Sequence, residues 1–265
     1  MVYRGEAPTK IPGVLVCAGL DPSGGAGLIA DVRTVIEMGG RPVGVVTALT
    51  VQNTTGVNAS GSVDPELVGQ QLVFLLTDIE VGAVKIGMLG SAEVAKNIAN
   101  ALHLTAAPVV WDPVMAPSSG EFHAQASFID DALHALRPHL TLLTPNIDEL
   151  AYLAGAPIDK LSEAVGAARQ LAADIDAAVL VKGGHLGGDE AIDVLVRGST
   201  AHEIRGPRVH RGHHVHGTGC ALSSAIATML ARGSDLEDAC RAAKEFVAAR
   251  IADPVQEGRG MPSVF

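Results

Sequence analysis

The chain has 265 residues, a length that suits one large α/β domain or two small ones. Hydrophobic residues make up 48% of it and charged residues 18%, so a sizeable core is available, and its 30 glycines suit helices packed closely on a sheet. Aromatic residues are only 3% and the formal net charge is −10, which excludes nucleic acid as a partner because stacking rings and phosphate-neutralising cations are both scarce.

In chain order, residues 1–12 are expected to form a flexible N-terminus; they hold no apolar h-region of a signal peptide. Short β-rich runs then alternate with helical patterns. Candidate strands are "GVLVCAG" (13–19), "VGVVTALT" (43–50), "AVKIG" (83–87), "VVWD" (109–112), "TLLT" (141–144), "AVLVKGG" (178–184) and "AIDVLV" (191–196). Several are apolar without alternation, as parallel strands covered on both faces should be. Helical spacing appears over 27–39, 65–79, 91–103, 130–138 and 161–174, and again over 234–251, where Ser234 and Glu237 stand as a capping box. Residues 192–204 predict a β-hairpin turning at Gly198-Ser199. Strand then helix, repeated, predicts one domain with a mostly parallel sheet and helices on both faces. No uncharged apolar run reaches the roughly 18 residues of a membrane span. The three cysteines, Cys17, Cys220 and Cys240, lie far apart without metal-ligand spacing and point to a reducing, cytoplasmic compartment.

Polar and glycine-rich segments come after nearly every predicted strand: "DPSGGAG", "VQNTTG", "MLG", "PVMAPSSG", "PNIDE" and "GGHLGG". In open parallel sheets the strand carboxyl edge is where ligands bind. "HGTGC" (216–220), ahead of an apolar helix, offers Gly217, Thr218 and Gly219 as an anion nest; an ordinary glycine turn is the plainer alternative. "DPSGGAG" (21–27) matches neither a P-loop nor G-x-G-x-x-G and allows close backbone approach or simply a tight turn. Asp31, one turn into the next helix, either faces a cleft or is solvated. Asn146 and Glu149 fit either a capping box or, through water, an Mg²⁺-orienting site, and the two readings are compatible. Asp112 is a Mg²⁺- or phosphate-orienting carboxylate or a turn residue set by Pro113. Lys182 either neutralises phosphate or snorkels. Gln52 pairs a donor with an acceptor, which suits an aminopyrimidine edge as well as a bland loop amide. The histidines 210, 213, 214 and 216 lack the carboxylate or cysteine that would complete a metal site and fit a mobile basic flap.

The ordered set "AGLDPSGGAGLIAD", "TALTVQNTTGV", "KIGML", "DPVM", "LLTPNIDEL", "VLVKGGH" and "HGTGC", spanning about Val14 to Val255, resembles the hydroxymethylpyrimidine/phosphomethylpyrimidine kinases of the ribokinase-like superfamily. The resemblance implies a three-layer α/β fold. It implies ATP-dependent phosphorylation of 4-amino-5-hydroxymethyl-2-methylpyrimidine, or of its monophosphate, on the way to thiamine diphosphate. It places Gln52 on the pyrimidine, with Ala26, Asp31, Thr50, Met88 and Val114 lining that pocket. Asn146, Lys182 and Gly184 would lie along ATP, Asp112 and Glu149 at Mg²⁺, and Gly217, Thr218 and Gly219 in the anion hole. Cys220 occupies the position of the family's base, and a helix N-terminus is expected to lower its pKa; Asp31 is a rival proton acceptor, and a small buried packing residue is the alternative for Cys220. A homodimer is implied. "APSSG" (116–120), Leu28-Ile29 and "GRGMPSVF" depart from the family pattern and bear most on the second phosphorylation. Two other readings stand beside this one: a pyridoxal kinase of the same fold, and a non-catalytic pyrimidine-binding regulator.

Overall fold

A computed structural model of the chain describes residues 11–115, 128–184, 190–209 and 215–265. Most of the expected flexible N-terminus, the "APSSG" segment, and His210, His213 and His214 lie outside the described residues.

The strands are β1 (Gly13–Leu20), β2 (Arg41–Asn53), β3 (Gly56–Ser62), β4 (Ala83–Ile86), β5 (Val109–Trp111), β6 (Leu140–Leu143), β7 (Ala178–Val181), β8 (Glu190–Arg197) and β9 (Thr200–Pro207). They form one sheet in the order β3-β2-β1-β4-β5-β6-β7-β8-β9. From β2 to β7 every pair is parallel, whereas β3 and the β8–β9 hairpin close the two ends antiparallel. The helices are α1 (Gly27–Glu37), α2 (Pro65–Leu76), α3 (Ala92–Leu102), α4 (Ile129–Leu136), α5 (Ile147–Ala154), α6 (Leu161–Ile175), α7 (Thr218–Ala231) and α8 (Leu236–Ala252).

Strand periodicity explains the layers, because successive side chains point to opposite faces. Leu15 and Cys17 of β1 join a core that includes Val68 and Leu72 of α2, Ile98 of α3, Leu136 of α4, Leu150 of α5 and Leu171 of α6. Val14, Val16 and Ala18 join the opposite core with Ala30 of α1, Ala225 and Ile226 of α7 and Ala243 of α8. The result is the expected three-layer α/β arrangement. Each fully buried Leu or Ile contributes on the order of 1.5–3 kcal/mol relative to exposure.

Two local expectations change. "VQNTTG" is not a loop: β2 runs on to Asn53 and returns as β3, with Gln52 opposite Val57. The polar composition of β3, "GVNASGS", hides its strand character, and it forms because the edge of β2 supplies hydrogen-bond partners. The last helix is capped by Asp235, whose carboxylate accepts from the Asp238 N–H, and not by Ser234 with Glu237. The hairpin turns at Gly198-Ser199 as expected, with Arg197 opposite Thr200. Among the described residues no helix is long and apolar enough to cross a membrane.

Candidate active site

Because β2, β1, β4, β5, β6 and β7 are parallel, Gln52, Asp21, Met88, Asp112, Thr144 and Lys182 all arrive at one edge of the sheet. The turn before α7 crosses this edge. Gly217 has φ +83, and a Cβ there would stand 2.0 Å from the Gly25 carbonyl oxygen, so only glycine lets the turn dock on the loop after β1. Two residues on, a Cβ at Gly219 would lie 3.4 Å from both Asp112 Oδ2 and Lys182 Nζ. The N-terminus of α7, positive in its dipole and rich in backbone donors, therefore faces a charged cluster.

That cluster is built from three strand ends. Lys182 Nζ donates to Asp112 Oδ1 at 2.6 Å and lies 3.6 Å from Glu149 Oε2. Ser223 Oγ lies 3.5 Å from Asp112 Oδ2, and Thr144 Oγ lies 3.4 Å from Oδ1. Asn146 caps α5: its Oδ1 accepts from the Glu149 N–H at 2.8 Å, and Glu149 Oε2 accepts from the Asn146 N–H at 2.7 Å. The capping box is real, and it leaves the Glu149 carboxyl beside Lys182. Burial pushes the Glu149 pKa up to about 7; Lys182 opposes this and Asp112 adds to it. Burial works against charge on Lys182, but Asp112 and Glu149 outweigh it and hold the ammonium protonated. Two carboxyls against one ammonium is a donor set that fits a divalent cation arriving with a triphosphate, since Mg²⁺ takes one or two carboxylates and keeps waters and phosphate oxygens for the rest. Among the described residues no group of three or more acidic, histidine or cysteine side chains forms a dedicated metal cage.

The thiol of Cys220 corrects one expectation. Burial pushes its pKa up to about 11; Lys85 and the Gly27 backbone N–H pull the other way, and Asp31 and Asp112 add to the rise. At neutral pH Cys220 is a thiol and not a thiolate. Asp31 is corrected as well. It is neither solvated nor in the cleft: it is fully buried, accepting from Lys85 Nζ at 2.6 Å and from Ser224 Oγ at 2.7 Å. A carboxylate held by two buried donors is not available to line a pyrimidine pocket or take a substrate proton.

The other residues expected to line a pyrimidine pocket converge on the β2–β1–β4–β5 half of the edge. Gln52 is half-buried, with its amide 3.0 Å from His216 Nε2. The Ala26 N–H donates to Asp21 Oδ2 at 3.1 Å, and Thr50 Oγ donates to the Leu20 carbonyl at 2.9 Å. The Met88 carbonyl accepts from Thr47 Oγ, its side chain covers Gly19, and the Val114 N–H bonds the Asp112 carbonyl. Gly184, two residues beyond Lys182, is tied through its carbonyl to Arg208 at 2.6 Å.

Sequence reasoning missed the supports. Lys244 of α8 donates to Asp193 Oδ2 at 2.6 Å, and Asp193 Oδ1 accepts from the Gly183 N–H at 3.0 Å, which fixes the glycine turn behind Lys182. Lys85 and Asp193 both stand inside apolar strand runs, and an ionic residue in such a run requires a buried partner. That is the signal that could have found them, although it does not name the partner.

A family model described as phosphomethylpyrimidine kinase matches residues 21–264. The hydroxymethylpyrimidine/phosphomethylpyrimidine kinase of Streptomyces coelicolor is 41% identical over 97% of this chain and 95% of its own. The thiamine biosynthesis bifunctional protein ThiED of Geobacter sulfurreducens is 40% identical over 98% of this chain, which spans 54% of that protein. Among solved structures, the pyridoxal kinase of Staphylococcus aureus in complex with AMP-PCP and pyridoxal superposes with a TM-score of 0.86, at 27% identity, over 97% of this chain and 94% of that one.

Proposed function

The chain belongs to the phosphomethylpyrimidine kinase family, and from that membership and the two-ended cleft we propose that it transfers the γ-phosphoryl group of ATP to 4-amino-5-hydroxymethyl-2-methylpyrimidine and to its monophosphate, in thiamine biosynthesis. The observation that carries this reading is the turn before α7, which touches the pyrimidine end through His216 and Gly217 and the charged end through Gly219. A phosphoryl group held there lies between both ends.

Gln52 reads the ring. Gly217, Thr218 and Gly219 present backbone donors to the transferring phosphoryl oxygens, where charge spreads in a loose transition state. Lys182 neutralises phosphate charge, and Asn146 and Gly184 border the nucleotide. Asp112 and Glu149 would hold Mg²⁺, which would supply neutralisation of phosphate charge. In such a transition state the hydroxyl proton leaves late, so a neutral Cys220 suffices as a polar contact to the hydroxymethyl oxygen. The chain acts as one kinase domain, in the cytoplasm, as a homodimer.

A second reading, pyridoxal phosphorylation, is favoured by the likeness to the Staphylococcus aureus pyridoxal kinase. ADP release from Mg²⁺-ATP, measured in parallel with the pyrimidine, its monophosphate and pyridoxal, separates them. Turnover of both pyrimidines supports the first reading; turnover of pyridoxal alone replaces it with the second.

A further inference from the structure

Three polar side chains from distant parts of the chain meet at the pyrimidine end. His216 Nε2 lies 3.0 Å from Asp21 Oδ2 and 3.0 Å from the Gln52 amide nitrogen as placed. Asp21 is itself over-determined: its Oδ1 accepts from the N–H and hydroxyl of Ser23, and its Oδ2 from the Ala26 N–H. Burial works to raise its pKa, but these bonds and His216 hold it below the usual carboxylate range, so Asp21 is ionised. His216 is 9% exposed and Asp21 3%, and the His216 backbone is clamped by bonds to Pro262 and Val264. The Asp21–His216 pair is therefore buried and tightly held, where a misdirected polar contact costs more than in water.

An ionised oxygen 3.0 Å away demands a donor, so His216 Nε2 carries a hydrogen. A ring N–H cannot face an amide NH₂ as its partner. The two ends of a glutamine amide are distinguished by their partners alone, and here the partner is a donor. The Gln52 end beside His216 is therefore the oxygen, which shares the single Nε2 hydrogen with Asp21 Oδ2 as the second acceptor of a three-centre bond, and its NH₂ belongs on the opposite side.

We infer that Asp21 and His216 are positioning residues that lock the Gln52 amide in one orientation, oxygen toward His216 and NH₂ toward the substrate, and thereby select the hydrogen-bonding pattern of the ring. In that orientation Gln52 donates to an unprotonated ring nitrogen and accepts, on its second lone pair, from an adjacent exocyclic amine. A 4-oxo ring carries the reverse pattern, a ring N–H beside a carbonyl, and pairs only with the flipped amide. The selectivity is thus for a 4-aminopyrimidine over its 4-oxo counterpart. This rests on Gln52 being the residue that reads the ring, as proposed above.

The test compares kcat/KM for 4-amino-5-hydroxymethyl-2-methylpyrimidine with that for its 4-oxo analogue, by ADP release, in the parent and in Gln52→Ala, His216→Phe, Asp21→Asn and the Gln52→Ala/His216→Phe double variant. Asp21→Asn keeps the acceptor for Ser23 and removes the charge that fixes the His216 hydrogen, at the loss of the acceptor for the Ala26 N–H. Each single variant is expected to lower the amino-over-oxo ratio by about tenfold, with KM for ATP within about twofold. In the Gln52→Ala background, His216→Phe is expected to lower it no further. A ratio that falls in Gln52→Ala but is unchanged in His216→Phe and Asp21→Asn, or additive losses in the double variant, overturns the inference and leaves Gln52 as the reader. An unchanged ratio in Gln52→Ala overturns the ring-reading role itself, and the inference with it.

Discussion

Of the three lysine–aspartate pairs that close to 2.6 Å among the described residues, Lys85–Asp31 and Lys182–Asp112 have opposite meanings. Lys85 and Asp31 are both completely enclosed, and Ser224 takes the second carboxylate oxygen, so the charges and their hydrogen bonds are closed on themselves. Lys182 keeps 16% of its side chain open, has Glu149 as a second acid, and stands against the N-terminus of α7. The first pair is complete without a ligand, whereas the second carries an excess of negative charge beside an array of backbone donors. Distance alone does not separate structure from function; the surplus of unspent charge and access to the cleft do.

The comparison is broken most directly at Lys85. Lys85→Met leaves a buried carboxylate without its cation and is expected to cost about 3–5 kcal/mol in denaturant unfolding, most of which Asp31→Leu in the same chain restores. A Lys85→Met protein as stable as the parent would show that the pair does not support the core.

Lys182→Met should fall on chemistry instead. A loss of about 10²–10³-fold in kcat is expected, with KM for the pyrimidine little changed. Its stability cost is expected to be smaller than at Lys85, because Glu149, already shifted to about 7, can take up a proton and relieve the uncompensated charge. A stability loss equal to that of Lys85→Met would erase the distinction.

Protons sharpen the same contrast. The pKa of Glu149 is raised by folding from 4.5 to about 7, so the folded state binds more protons between those values. Its contribution to stability is fully present below about 4.5 and is lost as pH rises through about 7. In protein free of nucleotide and metal, Glu149→Gln should remove a decline on the order of 3 kcal/mol across that window. Parallel stability–pH curves for parent and variant would show that Glu149 titrates normally.

The smallest effect is expected at Cys220. A residue whose thiol stays protonated at neutral pH cannot supply the 10²–10⁴-fold of a positioned general base, so Cys220→Ala should lower kcat by no more than about tenfold. A fall of about a hundredfold or more would restore Cys220 as the base.

How much of this was legible in the residues depends on range. The parallel strands β1, β4, β5, β6 and β7 announce themselves because each is buried on both faces nearly throughout and is therefore mostly apolar. The placing of Asp112, Asn146, Glu149 and Lys182 on one edge is dictated by strand direction alone. Strand β3 was not legible, because a polar edge strand is held by its neighbour's backbone and not by its own hydrophobicity. Nor was the true place of Asp31. Helical spacing puts it on one face of α1, but which face meets Lys85 and Ser224 depends on residues 54 and 193 positions away.

By itself the amino-acid sequence determined the alternation of strand and helix, the ligand edge and the residue types gathered there, since all three are written in local periodicity and in the polar, glycine-rich segments at the strand ends. Only the tertiary structure decided which charges are spent on each other, that Cys220 is protonated, and that Asp21 and His216 stand behind Gln52. Desolvation and pairing are properties of a residue's surroundings, and those surroundings are assembled from parts of the chain that no local pattern brings together.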